Sequence, residues 1–200
     1  MKYNNILHIT DDCLYLKSKK QKDIIKYKLS NNIVYGGRIS NIKKFMKSFE
    51  KLLSENHLNN SLFGETIKVV VASNYTPADI TFLKNIINSF NYRKIIIEKE
   101  LKYYKLNNNI AYINVFDDYF NLTYLDEYKK INNIYMETQG FLKTDDILEY
   151  LSYILNQKEV YLLGSGELIK ETFSKLEDKF NIKTYIFSNY ETHIITSVKG

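Results

Sequence analysis

The sequence predicts an α/β protein built from two tandem halves, each running β-β-β-α-β-α-β-α. Three observations lead there. Each half opens on three short strand-like runs in meander order. Each then alternates amphipathic helical stripes with apolar, β-branched runs too short for helices. The whole order restarts after roughly a hundred residues, far longer than a solenoid period and therefore the mark of a duplicated domain.

In the first half, residues 1–106, the runs "ILHIT", "CLYLKS" and "DIIKYKLS" read as strands joined by the polar turns "DD" and "KKQK". After "YGGRIS", Ile42, Phe45, Met46, Phe49, Leu52 and Leu53 fall at helical spacing, with Ser40 placed as the N-cap. "IKVVVAS" is a strand covered on both faces. Thr76, Pro77 and Asp79 then form a helix start: a capping hydroxyl, a proline whose missing N–H is harmless there, and a carboxylate at the third helical position. Leu83, Ile86, Ile87 and Phe90 give that helix its buried stripe. "KIIIEK" is predicted as another buried strand and "ELKYYK" as a short helix.

In the second half, residues 107–200, "NIAYINVF", "FNLTYLDEY" and "NNIYMET" are the three meander strands. A helix that Thr144 can cap buries Ile147, Leu148, Leu151, Ile154 and Leu155. The strand "EVYLL" comes next, then a helix carrying Ile169, Phe173, Leu176 and Phe180, the strand "KTYIFS", and a last helix from Tyr190. A three-strand meander followed by alternating helices and strands makes a mixed sheet with helices on both faces, the ribonuclease H-like topology, here in tandem.

Composition narrows the function classes. With 200 residues and 44% hydrophobic content, the chain can bury a real core. Cys13 is the one cysteine and cannot form an internal disulfide, while His8, His57 and His193 stand too far apart for a metal-ligand spacing. His8 and Cys13 read as sheet residues. These features fit a reducing cytoplasm. No apolar stretch reaches the roughly 20 residues of a membrane-spanning helix, and "MKYNNILHITDD" turns acidic too soon for a signal peptide. The net charge of +5 arises from 28 basic and 23 acidic residues, read as mixed along the chain, with very little arginine. That pattern predicts no nucleic-acid partner. The 18 tyrosines are expected in the core or at its boundary.

Two stretches carry a family resemblance. "KVVVASNYTPADITFLKNIINSFNYRKIIIEKEL" is similar to the strand, "P-S-x-x-T" loop, helix and "I-E-E-P-L" stretch of the actin-like ATPases, in particular the bacterial rod-shape and division actins. "VYLLGSGELIKETFSKLEDKF" and the residues after it resemble that family's "L-T-G-G-G-A-L-L" adenosine turn and the C-terminal segment beyond it. The resemblance covers nearly the whole length. It implies an actin-like ATPase fold without the peripheral B subdomains, since no sequence lies where those would be inserted.

The resemblance also implies where a nucleotide would sit: between the halves, with Gly164, Ser165, Gly166 and Glu167 forming the adenosine turn. Two hairpins would hold the phosphates, through glycine N–H groups and aspartates that help bind the magnesium shell. Those hairpins are changed here. Thr10 and Asn114 stand where the family has its aspartates, and Phe116, Asp117 and Asp118 replace the glycine run, with Asp11 and Asp12 in the equivalent first turn. Two unit charges about 4 Å apart repel by about 4 kcal/mol at an effective dielectric near 20, so paired carboxylates oppose a bound triphosphate. The family glutamates match Glu98 and Lys99, with Glu100 in place of the proline, which leaves a water-positioning acid lost or shifted by one. The expectation is a degenerate actin-like protein without ATP hydrolysis: a cytoplasmic scaffold that contacts other proteins or itself, with no cofactor. Two alternatives stay open. One is an actin-like ATPase that binds ATP and magnesium and polymerises. The other is a metal-dependent ribonuclease H-like nuclease built on the paired acidic turns. The glycines Gly164 and Gly166 have a structural explanation beside the functional one, namely positive φ and close strand–helix packing.

Overall fold

The computed structural model describes residues 5–58, 65–116, 119–138, 144–164, 167–187 and 189–198. They form two compact units, one of residues 1–103 with 191–200 and the other of residues 104–190. Sequence order assigns the last helix to the second half. The structure packs it with the first unit, a long-range docking that local sequence does not encode.

In the first unit, β1 (Asn5–Ile9), β2 (Cys13–Ser18) and β3 (Ile25–Lys28) form the antiparallel meander, and β6 (Thr66–Val71) and β7 (Lys94–Lys99) extend it in parallel, in the order β3-β2-β1-β6-β7. Period-two alternation sends Leu7, Ile9, Leu14, Leu16, Val69 and Val71 into one core. The helix α1 (Ile42–Glu55) covers that core with Phe45, Phe49, Leu52 and Leu53. Ile42 is 41% exposed, one turn too early to reach it. Asn41, not Ser40, caps this helix by accepting from the Lys44 N–H, while the Ser40 hydroxyl donates to the Asn32 carbonyl. The helix α2 (Pro77–Asn88) starts on the expected capping box of Thr76 and Asp79 and buries Leu83, Ile86 and Ile87. β7 is an edge strand and only half-buried, because an apolar run alone does not distinguish centre from edge. A 3-10 turn, Glu100–Tyr103, stands where a short helix was expected. Between β3 and α1 lies a hairpin that periodicity did not reveal, β4 (Val34–Tyr35) and β5 (Arg38–Ile39).

The second unit repeats the plan with β8 (Ile110–Phe116), β9 (Tyr119–Leu125), β10 (Ile131–Glu137), β11 (Glu159–Gly164) and β12 (Thr184–Ile186), in the order β10-β9-β8-β11-β12. α3 (Thr144–Leu155) buries Ile147, Leu148, Leu151 and Leu155. α4 (Glu167–Ser174) passes into a π turn, Lys175–Lys179, and this pair of segments buries Ile169 and Leu176. On the opposite face, Tyr112, Tyr161 and Tyr185 lie in register on β8, β11 and β12 and stack at centroid distances of 5.5 and 5.1 Å. The C-terminal helix α5 (Tyr190–Ser197) buries Ile194 and Ile195.

Gly164 is fixed by the β8–β11 pairing. It lies opposite Val115, its φ is 132°, and a Cβ there would come within 2.4 Å of the Val115 carbonyl oxygen. The positive φ of the expected explanation is visible, whereas the close approach is to the neighbouring strand β8 and not to a helix. Gly164→Ala is expected to destabilise the fold by about 2–4 kcal/mol, through left-handed strain plus the overlap, in urea denaturation followed by tyrosine fluorescence. A loss below about 0.5 kcal/mol would mean that the two strands do not approach this closely.

Candidate functional site

The first hairpin turn closes on itself. Thr10 donates from its backbone N–H and its hydroxyl to the Cys13 carbonyl, both at 3.0 Å, and its hydroxyl oxygen accepts from the Cys13 N–H at 3.1 Å. Thr10 is 7% exposed, a small neutral residue that satisfies the turn and carries no charge to offer a cation. Asp11 reaches away from the turn to the β4–β5 hairpin, where its two oxygens accept from the Gly36 N–H at 2.9 Å and the Gly37 N–H at 2.7 Å. Gly36 and Gly37 have φ of 60° and 76°, and the consecutive left-handed glycines point their N–H groups the same way, a nest for an anion. Asp11 fills it. A Cβ on Gly37 would lie 2.4 Å from the Ala72 Cβ, and the Asn74 amide donates to the Gly36 carbonyl at 2.7 Å. The turn, the hairpin and the β6–α2 loop are therefore one knot, tied by the Asp11 carboxylate on one side and the Asn74 amide on the other. Asp12 beside it is exposed.

The acids at the end of β7 are engaged as well. Glu98 meets the Lys68 ammonium at 3.2 Å and the Lys102 ammonium at 2.5 Å, and accepts from the Tyr103 hydroxyl. Lys68 is almost fully buried in the middle of β6. Burial pushes the Glu98 carboxyl up, but the hydrogen bonds from Lys102, Tyr103 and Lys68 outweigh it and hold the group below the ordinary glutamate range. Glu100 is 2% exposed and lies 2.8 Å from Nε2 of the wholly buried His8 on β1. Glu191, in the first turn of α5, belongs to the same neighbourhood. Burial pushes its carboxyl up, and the nearby His8 and Lys26 offset this only in part. The pairing of His8 with Glu100 and of Lys68 with Glu98 is not evident from the sequence. Its signal is a basic side chain inside each of two apolar runs, "ILHIT" and "IKVVVAS".

In the second hairpin Asn114 lies opposite Asn121, both nearly fully buried, and the Tyr104 hydroxyl donates to Asn114 Oδ1 at 3.4 Å. The Phe116 ring stacks on Tyr119 at 4.4 Å, and Tyr119 in turn contacts Tyr135 at 5.0 Å. Asp117, Asp118, Ser165 and Gly166 lie outside the described residues, as does the side chain of Glu167, whose backbone opens α4. Among the described residues no group of three or more histidine, cysteine or acidic side chains is placed to hold a metal ion.

The Glu98 cluster ties stability to pH. A carboxyl whose folded value is depressed contributes stability that is present above its unfolded value, and that stability is lost as pH falls through the folded value. Thermal melts are expected to drop progressively below about pH 4.5. Glu98→Gln should cost about 2–3 kcal/mol at neutral pH, because it removes the carboxylate that meets the buried Lys68 at 3.2 Å, and should shallow the acid slope. An unchanged acid slope in this variant would show that Glu98 is not held by these donors.

No protein-family model matches the chain. No curated protein matches it in sequence. Solved structures match it in fold. MreB5 of Spiroplasma citri bound to AMPPNP aligns with a TM-score of 0.64 at 11% identity, covering 98% of this chain and 95% of that one. A protein of Bacteroides thetaiotaomicron with an actin-like ATPase fold and unknown function aligns at 0.64 and 11% identity, over 98% and 96% of the two chains. The MamK double helical filament aligns at 0.60 and 8% identity, over 96% of each. With this coverage and the matching strand orders of its two units, the chain has the actin-like ATPase fold.

Proposed function

We propose that this chain is an actin-fold protein that does not hydrolyse ATP and works through its surfaces, as a cytoplasmic scaffold or assembly component of a bacterial cytoskeletal, division or envelope machine. One observation carries the reading. The carboxylates that the resemblance brings toward a nucleotide are satisfied within the first unit: Asp11 by Gly36 and Gly37, Glu98 by Lys68, Lys102 and Tyr103, and Glu100 by His8. A magnesium–triphosphate complex asks for open backbone N–H groups and for acids that face the metal's water shell. The described residues do not fit it, because the one visible glycine nest is filled by Asp11 and the family's aspartate positions hold the neutral Thr10 and Asn114. Freeing one of these acids breaks charge-assisted hydrogen bonds worth roughly 1.5–3 kcal/mol each. Fold likeness to a protein that forms a double helical filament supports contacts between copies of this chain.

A second reading, an ATP-binding protein that polymerises, is favoured by the AMPPNP bound to the MreB5 neighbour and by the glycine kept at the end of β11. The nuclease reading loses one of its acids to the glycine nest, since Asp11 is engaged there. Calorimetric titration of the chain with ATP and magnesium separates the first two. No heat and no released phosphate are expected. A saturable signal at micromolar affinity would replace the scaffold reading with the ATP-binding one.

A further inference from the structure

The basic residues are not mixed evenly with acids, as composition alone suggested. Residues 17–51 hold eleven basic side chains against two acidic ones, Asp23 and Glu50, so the rest of the chain is net acidic. The fold brings seven of these lysines, Lys19, Lys20, Lys22, Lys43, Lys44, Lys47 and Lys51, to α1 and the turn beside it in the first unit, while Lys17, Lys26 and Lys28 lie on the sheet face away from α1. Lys43 and Lys47 stand one turn apart on α1 with Lys44 beside them, all exposed, because the opposite face of the helix is spent on the core. Lys51 continues the stripe and pairs with Glu55 at 3.6 Å. At the C-terminal end of the helix lies the β2–β3 turn with the exposed Lys19, Lys20 and Lys22, brought there by the Gln21 amide, which donates to the Asn56 carbonyl at 3.2 Å. The helical stretch from Lys43 to Lys51 spans about 12 Å, and the turn prolongs it.

We propose that this lysine face docks on an anionic lipid bilayer surface. Charge complementarity calls for a polyanion, and the make-up of the face selects which one. Arg38, the one arginine in the segment, is turned to Asp79 at 3.3 Å and to the Asn74 carbonyl. The face thus presents ammonium groups and no guanidinium forks for base edges or phosphate pairs. Among the described residues, the large apolar side chain exposed beside these lysines is Ile42, and no exposed aromatic ring beside them offers a stacking platform for bases. Ammonium groups on flexible stems suit a fluid field of headgroups, where each adds roughly fivefold to the partition, and Ile42 at the head of the stripe can dip among them. The apolar face of α1 stays in the core, so the contact is electrostatic and is screened by salt.

The test is co-sedimentation of the full chain with phosphatidylcholine vesicles, with and without roughly a third phosphatidylserine. Binding is expected only with phosphatidylserine and is lost by about 0.5 M salt. Lys43→Glu with Lys47→Glu should weaken it at least tenfold, and so should Lys19→Glu with Lys20→Glu. The second pair lies on an exposed turn, so it keeps the test decisive if the helix variant folds poorly. Equal partition to neutral vesicles, or anionic binding unmoved by both pairs, would overturn the proposal. Tighter binding to duplex DNA than to these vesicles would overturn it in favour of a nucleic acid. Lysine-dependent light scattering at low salt without lipid would overturn it in favour of a second copy of the chain.

Discussion

A carboxylate withdrawn from water has to find donors, and the first unit of this chain supplies them to its own acids. Asp11 takes two glycine N–H groups, and with that one contact it joins the β1–β2 turn to the β4–β5 hairpin, while Asn74 joins the hairpin to the loop before α2. Glu98 neutralises Lys68, a cation that the middle of a sheet would otherwise not tolerate. Glu100 is held 2.8 Å from Nε2 of His8. These contacts link β1, β6, β7 and the loops at their ends, so the same side chains that make the unit cohere are committed to partners within it.

Much of the frame was legible because its signals are local. Thr76, Pro77 and Asp79 state the start of α2 within four residues, and the structure builds the full capping box on them. Phe45, Phe49, Leu52 and Leu53 state the buried stripe of α1 by spacing alone. The features that escaped depend on distance in sequence. The β4–β5 hairpin has two residues per strand and no period to detect. β7 lies at an edge, and its apolar run looks the same as a central strand's. α5 docks on a unit whose other residues end at position 103.

The candidate site divides along the same line. That Thr10 and Asn114 are neutral can be read from one letter each. That Asp11 is committed cannot, because its partners lie 25 and 26 residues away and count only once the hairpin has folded. The lysine face shows the reverse: the counts were in the sequence throughout, but averaging over the whole chain hid them. The Gln21–Asn56 contact is what turns two separate runs into one surface.

The most direct measurement is a crystal structure of the chain grown with AMPPNP and magnesium. The account expects Asp11 still on Gly36 and Gly37, Glu98 still between Lys68 and Lys102, and no triphosphate at either hairpin. A γ-phosphate seated against the β1–β2 turn, with Asp11 or Glu98 swung from its present partners toward a cation, would contradict it.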